Sequence, residues 1–144
     1  MSSSSLERDF PSLRSTQYDV TSPEDAQYNC IAWAAGFNDR WWWPSRRPSY
    51  YWPGDPDDQS MGAFIAVFAS LGYAICDSDT PEAGFEKVAI YANESGPTHI
   101  ARQLPTGEWT SKCGGLEDIA HTLSGLEGDC YGKVAVIMRR KAAG

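Results

Sequence analysis

The chain has fewer basic residues than acidic ones. Its 144 residues include 12 Lys and Arg against 19 Asp and Glu, which gives a formal charge of −7. Nucleic acids and anionic membranes bind preferentially to basic surfaces, so we expect neither as a partner. No apolar run approaches the ~20 residues of a membrane-spanning helix, and residues 1–10 lack the apolar core of a signal peptide. These absences predict a cytoplasmic protein, or an effector exported by dedicated machinery.

Residues that bind metals or act as nucleophiles are also few. The chain has 4 cysteines and 2 histidines. The cysteines show no C-x-x-C spacing, which argues against a zinc ribbon or a thioredoxin-like motif. Without an export signal we expect thiols rather than disulfides. A metal site built from the histidines, Cys113 and Cys130 lacks ligand spacing, so we predict no metal and no cofactor.

Aromatic side chains, by contrast, are abundant. The chain has 6 Trp, 7 Tyr and 5 Phe, and five of the tryptophans lie between residues 33 and 52. Apolar residues make up 42% of the sequence, enough for the core of one domain of this length. We therefore predict a mobile N-terminal tail at 1–14 and a single domain at 15–144.

The hydrophobic pattern follows a helical period early in the chain and a strand period later. Residues 60–71 repeat apolar side chains at helical spacing before Gly72, which predicts a helix. A short amphipathic helix is predicted at 116–126. Helices followed by strands indicate an α+β fold, with N-terminal helices packed on an antiparallel sheet. Strands are predicted at 18–20, 73–76, 85–92, 99–104, 108–113 and 131–139. A hairpin turn is predicted at 105–107.

The segment around Cys30 allows two interpretations. One helix could run from 23 to 35, starting at the Ser-Pro-Glu-Asp signal of residues 22–25. Alternatively, a turn at 22–28 precedes a helix that begins at Cys30 and is capped by Asn29. Only the second interpretation places the thiol at the positive end of a helix, where the thiolate is favoured and backbone N–H groups can form an oxyanion hole.

A cysteine nucleophile needs a base, and His99 is the better candidate of the two histidines. It follows Gly-Pro-Thr and is predicted to open a strand, where it would be held rigidly yet remain reachable from solvent. His121 is predicted to lie in the middle of a helix, as a surface or packing residue. Cys30 and His99 are therefore the predicted nucleophile and base.

These motifs carry a resemblance to a known superfamily. Residues 28–34, Tyr-Asn-Cys-Ile-Ala-Trp-Ala, followed later by a strand with His99, resemble papain-like cysteine hydrolases of the NlpC/P60 and CHAP kind. More narrowly, the chain resembles an uncharacterised bacterial domain family with Asn-Cys-x-Ala-Trp-Ala, Trp-Trp-Pro and Tyr-Trp-Pro segments and a Trp-Thr-Ser-Lys segment after the histidine strand. The resemblance implies a papain-like topology in which Cys30 attacks and His99 transfers the proton.

The superfamily also has a third polar residue that orients the imidazole. If Gln103 pairs with Trp109 across the hairpin, Ala101 faces Ser111 and His99 faces Cys113. The spacing of NlpC-like members would instead put the third residue about a dozen positions after the histidine, again near Ser111, although the Asn or Asp of the papain pattern is missing there. Ser111 is therefore the predicted third residue, with Lys112 and Gln103 as weaker candidates. The oxyanion glutamine of papain lies upstream of its cysteine, and the resemblance assigns this role to Gln27.

Residues 37–59 form a predicted long loop that is rich in Trp, Tyr, Pro and Arg. Its aromatic side chains could line a substrate cleft, or they could pack together as the loop's own small core. The sequence leaves both interpretations open. The predicted oxyanion or substrate-binding residues are Gln27, Asn29, Trp33, Trp42, Trp43 and Trp52.

Together these patterns predict a thiol hydrolase that cleaves an amide bond, as a peptidase, amidase or deamidase. Its substrate would be a peptide, a protein or a peptidoglycan fragment, and an inhibitory or immunity protein is a further expected partner. The alternative is a non-catalytic binding or interaction domain on the same fold that uses the aromatic loop 37–59. The distance between Cys30 and His99 discriminates between the two.

Overall fold

The computed structural model describes residues 10–11, 13, 18–22, 29–35, 41–46, 50–104, 106–112, 118–128 and 131–141. Within them, two α-helices, nine strands and a 3-10 helix follow one another along the chain. In order they are β1 (Tyr18–Ser22), α1 (Cys30–Ala35), β2 (Trp41–Trp42), β3 (Tyr50–Tyr51), α2 (Met61–Ser70), β4 (Ala74–Cys76), β5 (Phe85–Asn93), β6 (Gly96–Gln103), β7 (Trp109–Lys112), β8 (Asp118–His121), the 3-10 helix (Leu123–Leu126) and β9 (Lys133–Lys141).

Seven of these strands form one sheet in the order β1-β8-β7-β6-β5-β9-β4. Every pairing in it is antiparallel, so the predicted α+β class with an antiparallel sheet is confirmed. Strands β2 and β3 form a separate parallel pair. No helix in the described ranges combines the length and apolar character needed to cross a bilayer.

The sheet has two buried faces, and successive residues along a strand alternate between them. Ile90 pairs with Ile100 on the face where α1 and α2 pack, which we call the helix face. Tyr91 pairs with His99 on the opposite face, which we call the far face. The far face is covered by the 3-10 helix and by residues near the N-terminus.

Both helices begin at side-chain caps, and the cap of α1 is the predicted Asn29. The side-chain oxygen of Asn29 accepts a hydrogen bond from Ala32 N at 3.2 Å, and that of Ser60 accepts one from Ala63 N at 3.2 Å. Such caps satisfy amide groups that lack partners inside the helix. The helix that holds the thiol therefore begins at Cys30, as in the second interpretation, and the helix predicted at 60–71 is confirmed. Of the predicted helix-start signal at 22–25 and turn at 22–28, Ser22 ends β1 and residues 23–28 lie outside the described residues.

The helix predicted at 116–126 is wrong. Residues 118–121 form strand β8, which pairs with β1 on one side and β7 on the other. The 3-10 helix follows it and is capped by Thr122, whose Oγ1 accepts from Gly125 N at 3.1 Å. The apolar spacing that suggested a helix has another origin. Ile119 of β8 and Leu123 and Leu126 of the 3-10 helix all pack into the far-face core. Tertiary pairing on both sides overrides the local helical pattern.

Two other boundaries differ from expectation. Phe10 and Leu13, inside the predicted mobile tail, are buried in the far-face core. The packed part of the chain therefore begins before residue 15. The predicted loop at 37–59 contains the short strands β2 and β3, which pair in parallel.

Candidate functional site

Cys30 lies at the first position of α1, but it is not at the surface. Its side chain is only 6% exposed and packs in the helix-face core. Helix α1 lies against β6 and β7. Neither Cys30 nor Cys76 is in a disulfide, while Cys113 and Cys130 fall outside the described residues.

Asn29 and Trp33, both predicted to bind substrate, hold α1 in place. The Asn29 side chain accepts from Trp42 N at 3.1 Å and donates to Trp42 O at 2.7 Å, so it joins the helix start to β2. Trp33 Nε1 donates to Thr110 Oγ1 at 3.1 Å, and the Arg102 guanidinium lies 5.0 Å from the centre of the Trp33 ring. These contacts are structural. The predicted oxyanion residue Gln27 lies outside the described residues.

The expectation that His99 opens a strand and is reachable from solvent is wrong. Strand β6 begins at Gly96, so His99 lies in its interior, with 0% exposure. Its ring stacks on Tyr131 with centroids 4.1 Å apart, and it forms an edge-to-face pair with the Tyr91 ring, with centroids 5.3 Å apart. Strand β5 pairs with His99 at Tyr91, and the stacked Tyr131 ring covers the imidazole.

The sheet separates the predicted nucleophile from the predicted base. Cys30 belongs to the helix-face core together with Ile90 and Ile100. His99 pairs with Tyr91 on the far face. Because adjacent residues of a strand point to opposite faces, the structure does not bring the thiol and the imidazole together.

His99 is instead joined to Ser111 and His121. His99 Nε2 lies 2.8 Å from Ser111 Oγ, which lies 2.6 Å from His121 Nε2. His121 Nδ1 lies 2.6 Å from the carbonyl oxygen of Thr122. The predicted neighbour of His99 is thus in contact with it, and His121 completes a line of three side chains that we call the histidine relay.

The direction of each hydrogen bond in the relay follows from the acceptor at its end. A carbonyl can only accept, so His121 Nδ1 carries a proton, and in the neutral ring its Nε2 then accepts from the Ser111 hydroxyl. Ser111 in turn accepts from His99 Nε2–H. This leaves His99 Nδ1 without a proton, and it has no hydrogen-bond partner among the described residues.

Burial keeps both imidazoles neutral. It lowers the pKa of His99 well below its usual value, and the nearby His121 lowers it further. Burial also lowers the pKa of His121 to about 4, against a smaller opposing effect of its hydrogen bond to Thr122. Ser111 is 0% exposed and its hydroxyl is engaged by both rings. The relay is thus a neutral internal network rather than an exposed nucleophile with a base.

A cleft on the far face touches the outer end of the relay. This far-face cleft has a volume of about 910 Å³ and includes His121 in its wall. It is lined by five segments, namely Tyr18 of β1, Asp79 with Pro81, residues 106–109, residues 120–124 with Glu127, and Val134 with Ile137 of β9. Its volume is typical of a small-molecule site.

Two buried polar side chains of the sheet fix the walls of the cleft. Gln103 Nε2 donates to Asp79 O at 2.9 Å and to Gly107 O at 3.4 Å, so it joins two segments of the rim. The fully buried Lys87 donates to Ser78 O and Thr80 O, both at 2.7 Å. These bonds hold the 78–80 turn on the sheet, and the cleft is therefore pre-formed.

Comparison with known families gives a match over most of the chain. The chain matches the family described as Domain of unknown function (DUF7689) over residues 19–139. It belongs to that family. No curated protein and no solved structure matches the chain.

In this DUF7689 domain, the tryptophans of loop 37–59 pack inward. We call the described residues 41–46 and 50–52 of this loop the aromatic segment. Trp43 and Trp52 contact Phe64 of α2, with ring centroids 5.7 and 4.9 Å apart, and Trp42 is 4% exposed. Loop 37–59 was expected either to line a substrate cleft or to pack as a small core. These three tryptophans pack into the core. Among the described residues of this segment, Tyr51 is the most exposed large aromatic side chain, at 37%.

Sequence reasoning missed the far-face cleft. Its lining comes from segments far apart in the chain, and only the sheet order brings Tyr18 beside His121 and His121 beside Trp109. A signal was present in residues 118–121, where alternation of Ile119 and His121 on one face would have indicated a strand. That assignment would have placed both histidines on neighbouring strands.

Proposed function

We propose that this DUF7689 domain is a binding domain whose ligand site is the far-face cleft. The observation that carries the proposal is the pre-formed cleft of about 910 Å³, with Trp109 and His121 in its wall. A concave site with an aromatic wall and a few convergent polar groups is the usual form of a small-ligand site. The cleft would hold a ligand without transforming it.

The state of His121 supports binding over catalysis. Both of its nitrogens are engaged, one by Ser111 and the other by Thr122, so neither can take a proton from a ligand without breaking the relay. Ser111 is fully buried behind it. A general base needs a lone pair within hydrogen-bond reach of its substrate.

Backbone and indole NMR spectra test the site with neutral probes such as indole and benzyl alcohol. We expect chemical-shift changes to concentrate on Trp109, His121 and Ile137. Ser124→Trp places a large ring at the cleft wall and should abolish them. Ser95→Trp, on the exposed turn between β5 and β6, is the matched control and should leave them intact. Shifts concentrated on Trp41 and Tyr51 would overturn the proposal and favour the aromatic segment as the interface.

Thiol hydrolysis on a papain-like topology is the second candidate function. Two observations favour it, namely the helix that begins at Cys30 and the hydrogen bond between Ser111 and His99. It requires Cys30 and His99 to meet, which would need a rearrangement of the sheet. We therefore rank it below the binding domain.

Alkylation rates of the thiols distinguish the two candidates. In the native protein we expect iodoacetamide to modify the partly exposed Cys76 before the buried Cys30, because reaction requires access to the sulfur. Peptide mass mapping at pH 6 and pH 8 gives the rate at each site. Rapid modification of Cys30 at pH 6 that slows in both His99→Gln and Ser111→Ala would contradict the binding proposal and support the hydrolase.

A further inference from the structure

We infer that β7, β8 and β1 open and close as one unit at their boundary with β6, and that the histidine relay holds this boundary closed. We call the boundary between β6 and β7 the seam. The outer unit is β7, β8 and β1, and the inner unit is β4, β9, β5 and β6. A ligand in the far-face cleft would also hold the seam closed, and this part of the inference rests on the proposed binding function.

Strands β6 and β7 are paired over only a short stretch beside their hairpin turn. Among the described residues they pair at Arg102–Thr110 and Gln103–Trp109. Strand β7 continues beyond Thr110, but this part pairs with β8 and not with β6. By contrast, β7 pairs with β8 along its whole length, and β5 pairs with both β6 and β9 over most of its length. The backbone ladder is therefore interrupted at the seam.

The histidine relay crosses the seam where this ladder is interrupted. His99 belongs to β6 of the inner unit, whereas Ser111 and His121 belong to β7 and β8 of the outer unit. The hydrogen bond of 2.8 Å between His99 Nε2 and Ser111 Oγ therefore joins the two units, and the bond of 2.6 Å from Ser111 Oγ to His121 Nε2 extends the link to β8. All three side chains are buried, so leaving them without partners is costly. The relay thus replaces missing backbone bonds with side-chain bonds.

Other contacts hold the hairpin end and the helix face of the seam, so these sides act as the hinge. The hairpin turn joins β6 and β7 covalently. On the helix face, Thr110 Oγ1 donates to Arg102 O at 3.0 Å, and α1 packs against both strands. On the far face, the Tyr91 hydroxyl of the inner unit donates to Leu123 O at 2.6 Å, which is a second link beside the relay. The seam therefore opens on the far face when these far-face bonds break.

The far-face cleft takes its walls from both sides of the seam. Tyr18, Trp109 and His121 belong to the outer unit, while Val134 and Ile137 belong to β9 of the inner unit. A ligand that contacts both walls binds the closed form better than the open one, and this difference in affinity shifts the equilibrium towards closure. By linkage, a change that opens the seam weakens binding. Elements that move for ligand binding belong to the less stable cooperative units of a fold.

Native-state hydrogen exchange, followed by NMR, tests whether the outer unit opens on its own. The reporters are the amides of Ile119 and Ile90, which lie on central strands of the outer and inner units. In the unaltered protein Ile119 should exchange faster. Thr98→Val removes a hydroxyl that donates to Tyr131 O at 2.6 Å, away from the outer unit. It should accelerate exchange at Ile90 by roughly fivefold, the value of one hydrogen bond, and leave Ile119 unchanged, because the inner unit stays intact when the outer unit opens.

Ser111→Ala also removes one hydroxyl, but from the centre of the relay. The relay is broken both when the outer unit opens and when the whole chain unfolds, so exchange should accelerate at Ile119 and Ile90 alike, by about tenfold or more for two buried bonds. If Ser111→Ala does not fold, His121→Gln changes the same link and should accelerate both amides. Indole at about ten times its Kd should slow exchange at Ile119 of the unaltered protein about tenfold.

Equal acceleration of Ile119 and Ile90 in Thr98→Val would show that the sheet opens only as a whole and would overturn the inference. Acceleration of Ile90 alone in Ser111→Ala would overturn the role of the relay. If indole shifts the Trp109 and His121 signals but leaves exchange at Ile119 unchanged, the coupling of ligand to seam is overturned and the binding function stands. If indole shifts neither signal, the binding function and its coupling fail together, while Thr98→Val still decides whether the outer unit opens.

Discussion

Acidification from pH 7.5 to 4.5 is expected to lower the free energy of unfolding by roughly 2–3 kcal/mol through His121 alone, given its folded pKa of about 4 and ~1.4 kcal/mol per unit of pKa shift. His99, fully buried and neutral, adds to the loss in the same direction. For a domain of this size that is a large part of the total stability.

The sign follows from where the protons bind. Burial lowers the pKa of both histidines in the folded state, whereas in the unfolded chain a histidine takes up its proton near pH ~6.5. Between that pH and the folded value, the unfolded state binds more protons, so stability rises with pH. The contribution is fully present above pH ~6.5 and is lost as the pH falls towards the folded pKa of about 4.

Urea unfolding at several pH values measures this dependence. His121→Gln removes one of the 2 histidines in the chain, and its stability should therefore fall less steeply between pH 6.5 and 4.5, whatever its stability at pH 7.5. NMR titration of the imidazole C–H signals of the unaltered protein provides a second measurement. An imidazole that titrates near its ordinary pKa while the protein stays folded would contradict the neutral relay.

The sequence predicted well those features that depend on neighbours along the chain. The cap at Asn29 was predicted correctly because a capping side chain binds an amide three residues on. The pairing of Gln103 with Trp109 followed from the hairpin turn, which is confirmed. Ser111, predicted from that register together with the spacing of NlpC-like members, does lie beside His99.

Features that depend on the whole sheet were not predictable in the same way. Side chains alternate between the two faces of the sheet along β6. Whether His99 points towards α1 or away from it therefore depends on its position in that alternation and on which face α1 covers. Neither is visible in the local pattern, and a slip of one residue changes the face of every side chain. The burial of His99 likewise depends on Tyr131, which lies far along the chain.

The cleft shows the same limitation more strongly. The segments that hold Asp79 and Glu108 are distant in sequence, and Gln103 joins them by donating to Asp79 O and Gly107 O. Charged side chains at turns are normally solvated, so their residue types alone gave no signal. The site could be recognised only from the fold.

Phe64→Ala is expected to destabilise the domain by about 3–5 kcal/mol, the usual cost of removing a fully buried ring. Phe64 is 0% exposed, and both Trp43 and Trp52 rest on it. Its removal leaves a cavity beneath the aromatic segment. The indole N–H signals of both tryptophans should shift, and their hydrogen exchange should accelerate.

Phe85→Ala is the matched control, because the same atoms are removed from a partly exposed ring at the start of β5. That ring contacts the Arg139 guanidinium at 4.7 Å, and its loss should cost no more than roughly 1–2 kcal/mol. Equal losses for the two variants would contradict the supporting role of Phe64. We expect Phe64→Ala to lose stability while the NMR signals of the far-face cleft stay unchanged. This result would show that the aromatic segment supports the helix-face core, as its packing indicates. It would also show that ligand binding on the other side of the sheet does not depend on this segment.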